Sequence, residues 1–121
     1  MQNEKRMPLE KAAQWIKNDS QLCLLDVREI KEYEQGHVEN AALLPLSILK
    51  NLFTANGQEK SNQQYLSLLP SNKEQKILCY CRAGGRSLQA TDILRAAGFT
   101  NTFSMDGGFD AWRESFGVID A

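Results

Sequence analysis

From Lys76 to Gly98 the chain reads as one unit: an apolar strand from Ile77 to Cys81, a glycine-rich turn, and a helix from Ser87 to Ala97 closed by Gly98. The turn is Cys81-Arg82-Ala83-Gly84-Gly85-Arg86-Ser87. A cysteine placed between a strand end and a helix start lies in a ring of backbone N–H groups at the positive end of the helix. Those surroundings hold a thiolate and draw in an anion. Arg82 and Arg86 add fixed positive charge. Cys81 is therefore expected to be a reactive cysteine.

Strand and helix patterns alternate along the rest of the chain. Pro8 suits the first turn of a helix, and Leu9, Ala12, Ala13 and Ile16 then form one apolar helical face, broken at Asn18-Asp19-Ser20. Cys23 to Val27 is a short apolar run of the buried-strand kind. Glu29 to Gln35 reads as a short polar helix stopped by Gly36. Ala41 to Leu44 is a strand ended by Pro45. Leu46, Ile48, Leu49 and Leu52 suit a helix, and so do Tyr65, Leu66, Leu68 and Leu69 before Pro70. Thr100 to Met105 is a last strand, and Gly107-Gly108 turns into a helix holding Phe109, Ala111, Trp112 and Phe116. Such alternation predicts an α/β fold with a mainly parallel sheet and helices on both faces. Ligands then collect at the carboxyl ends of the strands, where Asp26 and Cys81 lie.

At 121 residues, with no repeat or linker, residues 1–121 are expected to form one domain. The net charge of −1 gives no reason to expect nucleic acid or an anionic membrane as partner. No apolar stretch approaches the roughly 20 residues of a membrane span. No apolar signal core follows the first residues. Three cysteines, two of them two residues apart, make a poor disulfide framework and point to a reducing, cytoplasmic setting.

Six segments carry a family resemblance. They are Leu25-Asp26-Val27-Arg28-Glu29, Gly36-His37-Val38, Ala41-Ala42-Leu43-Leu44-Pro45, Cys81 to Ser87, Ala97-Gly98-Phe99, and Met105 to Trp112. In order and spacing the chain resembles a rhodanese, or sulfurtransferase, domain. The resemblance implies a central, mainly parallel sheet of five strands, or four if the first is missing, since only seven residues precede Pro8. It implies transfer of a sulfane sulfur through a Cys81 persulfide, with neither metal nor organic cofactor. Loop length separates this chemistry from its relatives. Cys81 to Arg86 is the span that sulfurtransferases use. The related phosphatases and arsenate reductases place the arginine one residue later, where this chain has Ser87. The shorter ring suits a terminal sulfur better than a tetrahedral phosphate.

The expected donor is a small anion: thiosulfate, polysulfide or a low-molecular-weight persulfide. The expected acceptor is a thiol or cyanide, in two-step covalent catalysis. A sulfur-relay module serving a specific protein acceptor is one alternative, and a phosphatase or arsenate reductase on the same fold is another. The amides of Arg82, Ala83, Gly84, Gly85, Arg86 and Ser87 should cradle the persulfide, with Asp26 and Arg28 in support. Arg82 is the better cation for steering the donor. Arg86 could do the same, or could pair with Asp26 and brace the loop. The brace is favoured, because a part-buried arginine usually finds a carboxylate. Cys79 and Cys23 read as small core residues, although Cys79 could act as a resolving thiol. His37 reads as structural, Gly107-Gly108 as a tight turn, and Trp15 and Trp112 as packing, with Trp112 near the pocket wall. The charges from Glu29 to Glu34 read as a solvated face, and Thr54 to Asn62 as part of the pocket rim.

Overall fold

The computed structural model describes residues 4–54 and 62–117. Five strands form one all-parallel sheet: β1 (Arg6–Met7), β2 (Cys23–Asp26), β3 (Ala42–Leu43), β4 (Ile77–Tyr80) and β5 (Thr102–Met105), in the order β1-β5-β4-β2-β3. The expected first strand is present but only two residues long. Among the described residues five helices lie between the strands, α1 (Leu9–Asn18), α2 (Ile30–Glu34), α3 (Leu46–Leu52), α4 (Gln63–Leu66) and α5 (Gly85–Ala96), and α6 (Gly108–Phe116) follows β5. None of the described helices is long and apolar enough to cross a membrane.

Strand alternation sorts the core into two layers. Ile77 and Cys79 of β4, with Leu25 of β2, face one side, where Leu46, Leu49 and Leu52 of α3 and Ala90 and Leu94 of α5 cover them. Leu78 and Tyr80, with Leu24 and Met105, face the other, under Ala12 of α1 and Phe109 of α6. A strand buried on both faces needs continuous apolar sequence, which is what Ile77 to Tyr80 provides.

The order of the strands locates the site. After β2 the chain moves outward to β3, then returns to place β4 on the opposite side of β2. The crevice at such a reversal, beyond the strand ends, is where an open α/β sheet takes its ligand. Asp26 pairs in register with Tyr80, so the chain leaves β2 and β4 side by side.

The β2 exit is fixed by a buried ion pair. Asp26 is fully buried and Arg28 is 4% exposed. Arg28 donates through Nε and Nη2 to both Asp26 oxygens, the shortest contact being 2.7 Å, and through Nη2 to the Gly36 carbonyl at 2.8 Å. Its guanidinium carbon lies 4.4 Å from the Phe109 ring centre and 5.6 Å from that of Tyr80. Burial, followed by the Asp26 charge, pushes the Tyr80 phenol up, so its hydroxyl stays protonated and accepts the Val38 amide at 3.0 Å. Removing one partner would strand the other charge in the interior. Arg28→Met should therefore cost about 3–5 kcal/mol in urea unfolding, and Asp26→Asn in the same chain should restore part of that loss. A double-variant loss equal to the sum of the two single losses would show that the pair is not coupled.

Candidate active site

Strand β4 ends at Tyr80, and Cys81 is the first residue beyond it. Helix α5 begins at Gly85, two residues earlier than the sequence pattern places it, so Arg86 and Ser87 belong to its first turn. Gly84, with φ of +128°, lets the chain reverse between strand and helix. Two of the expected loop amides donate to the Cys81 sulfur, Gly84 at 3.0 Å and Ser87 at 3.4 Å. Cys81 is 1% exposed, so its sulfur lies on the floor of the cup and not at its rim. Arg82 and Ala83 form the exposed rim.

Helix α6 determines which way this loop faces. The Phe109 amide donates to the Cys81 carbonyl at 2.7 Å, and the Asp110 amide donates to the Arg82 carbonyl at 3.0 Å. Two carbonyls are thereby engaged outside the cup. The helix approaches this closely because residue 108 has no side chain: a Cβ there would lie 2.6 Å from both the Cys81 and Arg82 carbonyl oxygens. Gly108 also has φ of +62°. The double glycine is thus the tight turn expected, and it is also the contact surface of the loop.

Behind the sulfur lie two buried hydroxyls. Ser87 Oγ is 3.4 Å from Cys81 Sγ and 2.6 Å from Ser104 Oγ, and it can donate to the Gly84 carbonyl at 3.2 Å. Thr91 donates to the Ser87 carbonyl at 2.8 Å, steadying this first turn.

In front of the loop opens a cleft of about 220 Å³, walled by Arg28, Glu32, Arg82, Phe109, Asp110 and Arg113 among others. The Arg82 side chain is 70% exposed and reaches Asp110 only loosely, at 3.6 Å. Arg113, one helical turn after Asp110, has no side-chain ion partner among the described residues. Arg86 does not brace the loop against Asp26. It forms a two-pronged pair with Glu32, at 2.8 and 2.9 Å, while Asp26 is saturated by Arg28. Arg28, two residues on, folds back onto Asp26, whereas Arg86 leaves α5 toward α2. Glu32 is therefore not simply part of a solvated face. Its Oε1 also accepts the Glu29 amide at 3.0 Å, closing a reciprocal cap on α2. The spacing Glu29-x-x-Glu32 is the signal in the sequence that could have marked it.

Among the described residues, no three or more His, Cys, Asp or Glu gather to hold a metal. Cys79 is fully buried, and burial pushes its thiol up. Burial likewise pushes Cys23 up, to about 11. His37 stacks on Tyr33 with ring centres 3.7 Å apart, and its Nδ1 lies 2.9 Å from the Tyr33 carbonyl, a structural setting. Trp112 packs on Phe116 and borders a separate groove with Ala13, Ile16 and Val38, so it does not line the cleft walled by Arg82 and Phe109. Residues 55–61, most of the stretch assigned to the rim, lie outside the described residues.

The hydrogen-bonded Arg86 guanidinium holds the Glu32 carboxyl down, from its ordinary 4.5 to about 2. A carboxylate held low stabilises the fold above its ordinary range and loses that contribution as pH falls through its folded value. Glu32→Gln should therefore melt below the unaltered protein near neutral pH, and the gap should close as the pH approaches about 2. A gap that stays constant across thermal melts at several pH values would refute the link.

Comparison with known proteins identifies the family and the fold. Residues 9–115 match the family described as rhodanese-like domain. Rhodanese-like domain-containing protein 17 of Arabidopsis thaliana is 36% identical over 96 residues, which are 78% of this chain and 60% of that protein. Thiosulfate sulfurtransferase 18 of the same plant is 39% identical over 90 residues, which are 73% of this chain and 64% of that protein. The chain thus spans less than two thirds of either relative. In fold it is similar to the human single-domain sulfurtransferase TSTD1, with a TM-score of 0.76, 24% identity, and coverage of 93% of this chain and 97% of that one. With the parallel sheet, the cysteine at the β4 exit and a match over most of its length, the chain belongs to the rhodanese-like domain family.

Proposed function

We propose that this chain is a sulfurtransferase carrying a sulfane sulfur on Cys81. The observation that carries the reading is the Cys81 sulfur accepting the Gly84 and Ser87 amides at the head of α5. Those donors, the helix dipole and the cationic rim all favour negative charge there. In the first step the Cys81 thiolate attacks the outer sulfur of a donor such as thiosulfate. A sulfur–sulfur bond forms to Cys81, the donor's own sulfur–sulfur bond breaks, and sulfite leaves with the electron pair. In the second step cyanide or a thiolate attacks the terminal sulfur and Cys81 departs as thiolate. Each half is a nucleophilic displacement, and the loop amides meet charge on Sγ at the start of the first and the end of the second.

Donor binding falls to Arg82 and Arg113. Arg86 is held by Glu32 and Arg28 by Asp26, so these two are the cleft cations left to meet an anion. The same observation weighs against phosphate chemistry. The arginine nearest the phosphatase position is turned away to α2, and the position itself is a serine.

Cys81→Ser should abolish sulfur loading, read as the gain of one sulfur atom in intact mass after incubation with thiosulfate or glutathione persulfide. Cys79→Ser should still load. Loss in both variants, with both folded, would mean that the two thiols act as a pair. Efficient hydrolysis of aryl phosphates by the unaltered protein would overturn the reading.

Arg82→Ala and Arg113→Ala should each raise the KM for thiosulfate about two- to fivefold at low salt, as expected for exposed charges, and the effect should fade as salt is added. A KM that both substitutions leave unchanged would remove these arginines from donor binding.

A further inference from the structure

We propose that Ser104 is a positioning residue for the Cys81 sulfur, acting through Ser87; the proposal rests on Cys81 being the sulfur carrier. Ser104 sits on β5, paired in register with Cys79 of β4, so it stands beside the strand that delivers Cys81. Ser104 is 1% exposed and Ser87 fully buried. Their hydroxyl oxygens are 2.6 Å apart, and the Ser104 hydroxyl has no other partner among the described residues.

Counting protons gives the direction. Each hydroxyl has one hydrogen to donate. Buried, Ser104 can place its hydrogen only on Ser87 Oγ, because a buried donor without an acceptor is costly. Ser87 then cannot donate to Ser104, and its hydrogen has two destinations: the Gly84 carbonyl at 3.2 Å and the Cys81 sulfur at 3.4 Å. A neutral sulfur is the weaker acceptor and leaves the hydrogen on Gly84. A charged sulfur takes it, since hydrogen bonds to ionised acceptors are the stronger ones. Ser104 thus keeps the Ser87 hydroxyl turned toward the loop, ready to follow the charge.

That charge develops when sulfur leaves. The acceptor forms a bond to the terminal sulfur, the bond between that sulfur and Sγ breaks, and the electron pair stays on Sγ. The Ser87 hydroxyl meets it without solvent having to reorganise. Nothing in the sequence marks Ser104: it lies between Phe103 and Met105, on a strand, outside any motif.

The test is single-turnover release. Protein preloaded with thiosulfate is mixed with excess cyanide and thiocyanate is followed. Ser104→Ala should release about tenfold more slowly, the factor expected for one hydrogen bond to a charged group. The thiosulfate concentration that half-saturates its single-turnover loading should stay within about twofold, because Ser104 does not touch the cleft. Ser104→Thr, which keeps the hydroxyl, should restore most of the rate. In a Ser87→Ala background, Ser104→Ala should add no further loss. Release at the unaltered rate, or a loss that adds to that of Ser87→Ala, would overturn the proposal. Alkylation of Cys81 by iodoacetamide at neutral pH gives a second readout that needs no sulfur transfer. Ser104→Ala should slow it about threefold, a smaller factor because a less stabilised thiolate is the better nucleophile. Were the unaltered protein never to take up sulfur, the sulfurtransferase reading would fail. The alkylation rates would still decide whether Ser104 acts on Cys81 through Ser87.

Discussion

Two hydrogen bonds hold the site in shape: those from the Phe109 and Asp110 amides to the Cys81 and Arg82 carbonyls. The first two peptides of the loop are tied to the start of α6 by their oxygen edges. The sulfur then meets amides from the far side of the loop, at Gly84 and Ser87. The contact survives only at residue 108 without a side chain, and only where the backbone can adopt positive φ. The chemistry attributed to one loop is therefore built from two, and the second arrives from the last strand of the sheet.

The sequence made the architecture legible because its signals are local. Ile77 to Tyr80 is apolar on both faces, Pro45 ends one strand, and Gly98 ends one helix; none of these readings needs a distant partner. The loop was equally legible, since Cys81, the glycines and the following helix are contiguous. Pairings across the fold were not. Asp26 and Arg86 both lie at the site, and the general rule that a part-buried arginine finds a carboxylate is obeyed, but by Glu32. Sequence distance does not say which of two acids faces a given arginine. Arg28 had first claim on Asp26 through its own backbone and side chain. Ser104 was invisible for a related reason. A serine on a strand carries no signal until the neighbouring element shows what its hydroxyl touches.

The arginines around the cleft divide into two kinds by what they cost to move. Arg28 is buried in contact with Asp26, Phe109 and Tyr80, and any displacement would leave a buried carboxylate alone. Arg86 is half-buried and doubly hydrogen-bonded to Glu32. Arg82 is mostly exposed and only loosely held. Rigid framing and, on the proposed reading, donor recognition thus come from the same residue type, sorted by burial and by the number of hydrogen bonds each makes.

The burial of Cys79 and the part-burial of Cys23 bear on the proposed sulfur-carrying role of Cys81. Both are on the same core face as Cys81, and burial keeps both protonated. A protonated thiol is a poor nucleophile, so burial works against either of them discharging a sulfur carried on Cys81, as proposed, by forming an internal disulfide. On the proposed reading, the lifetime of a loaded Cys81 then depends on the acceptor supplied from outside.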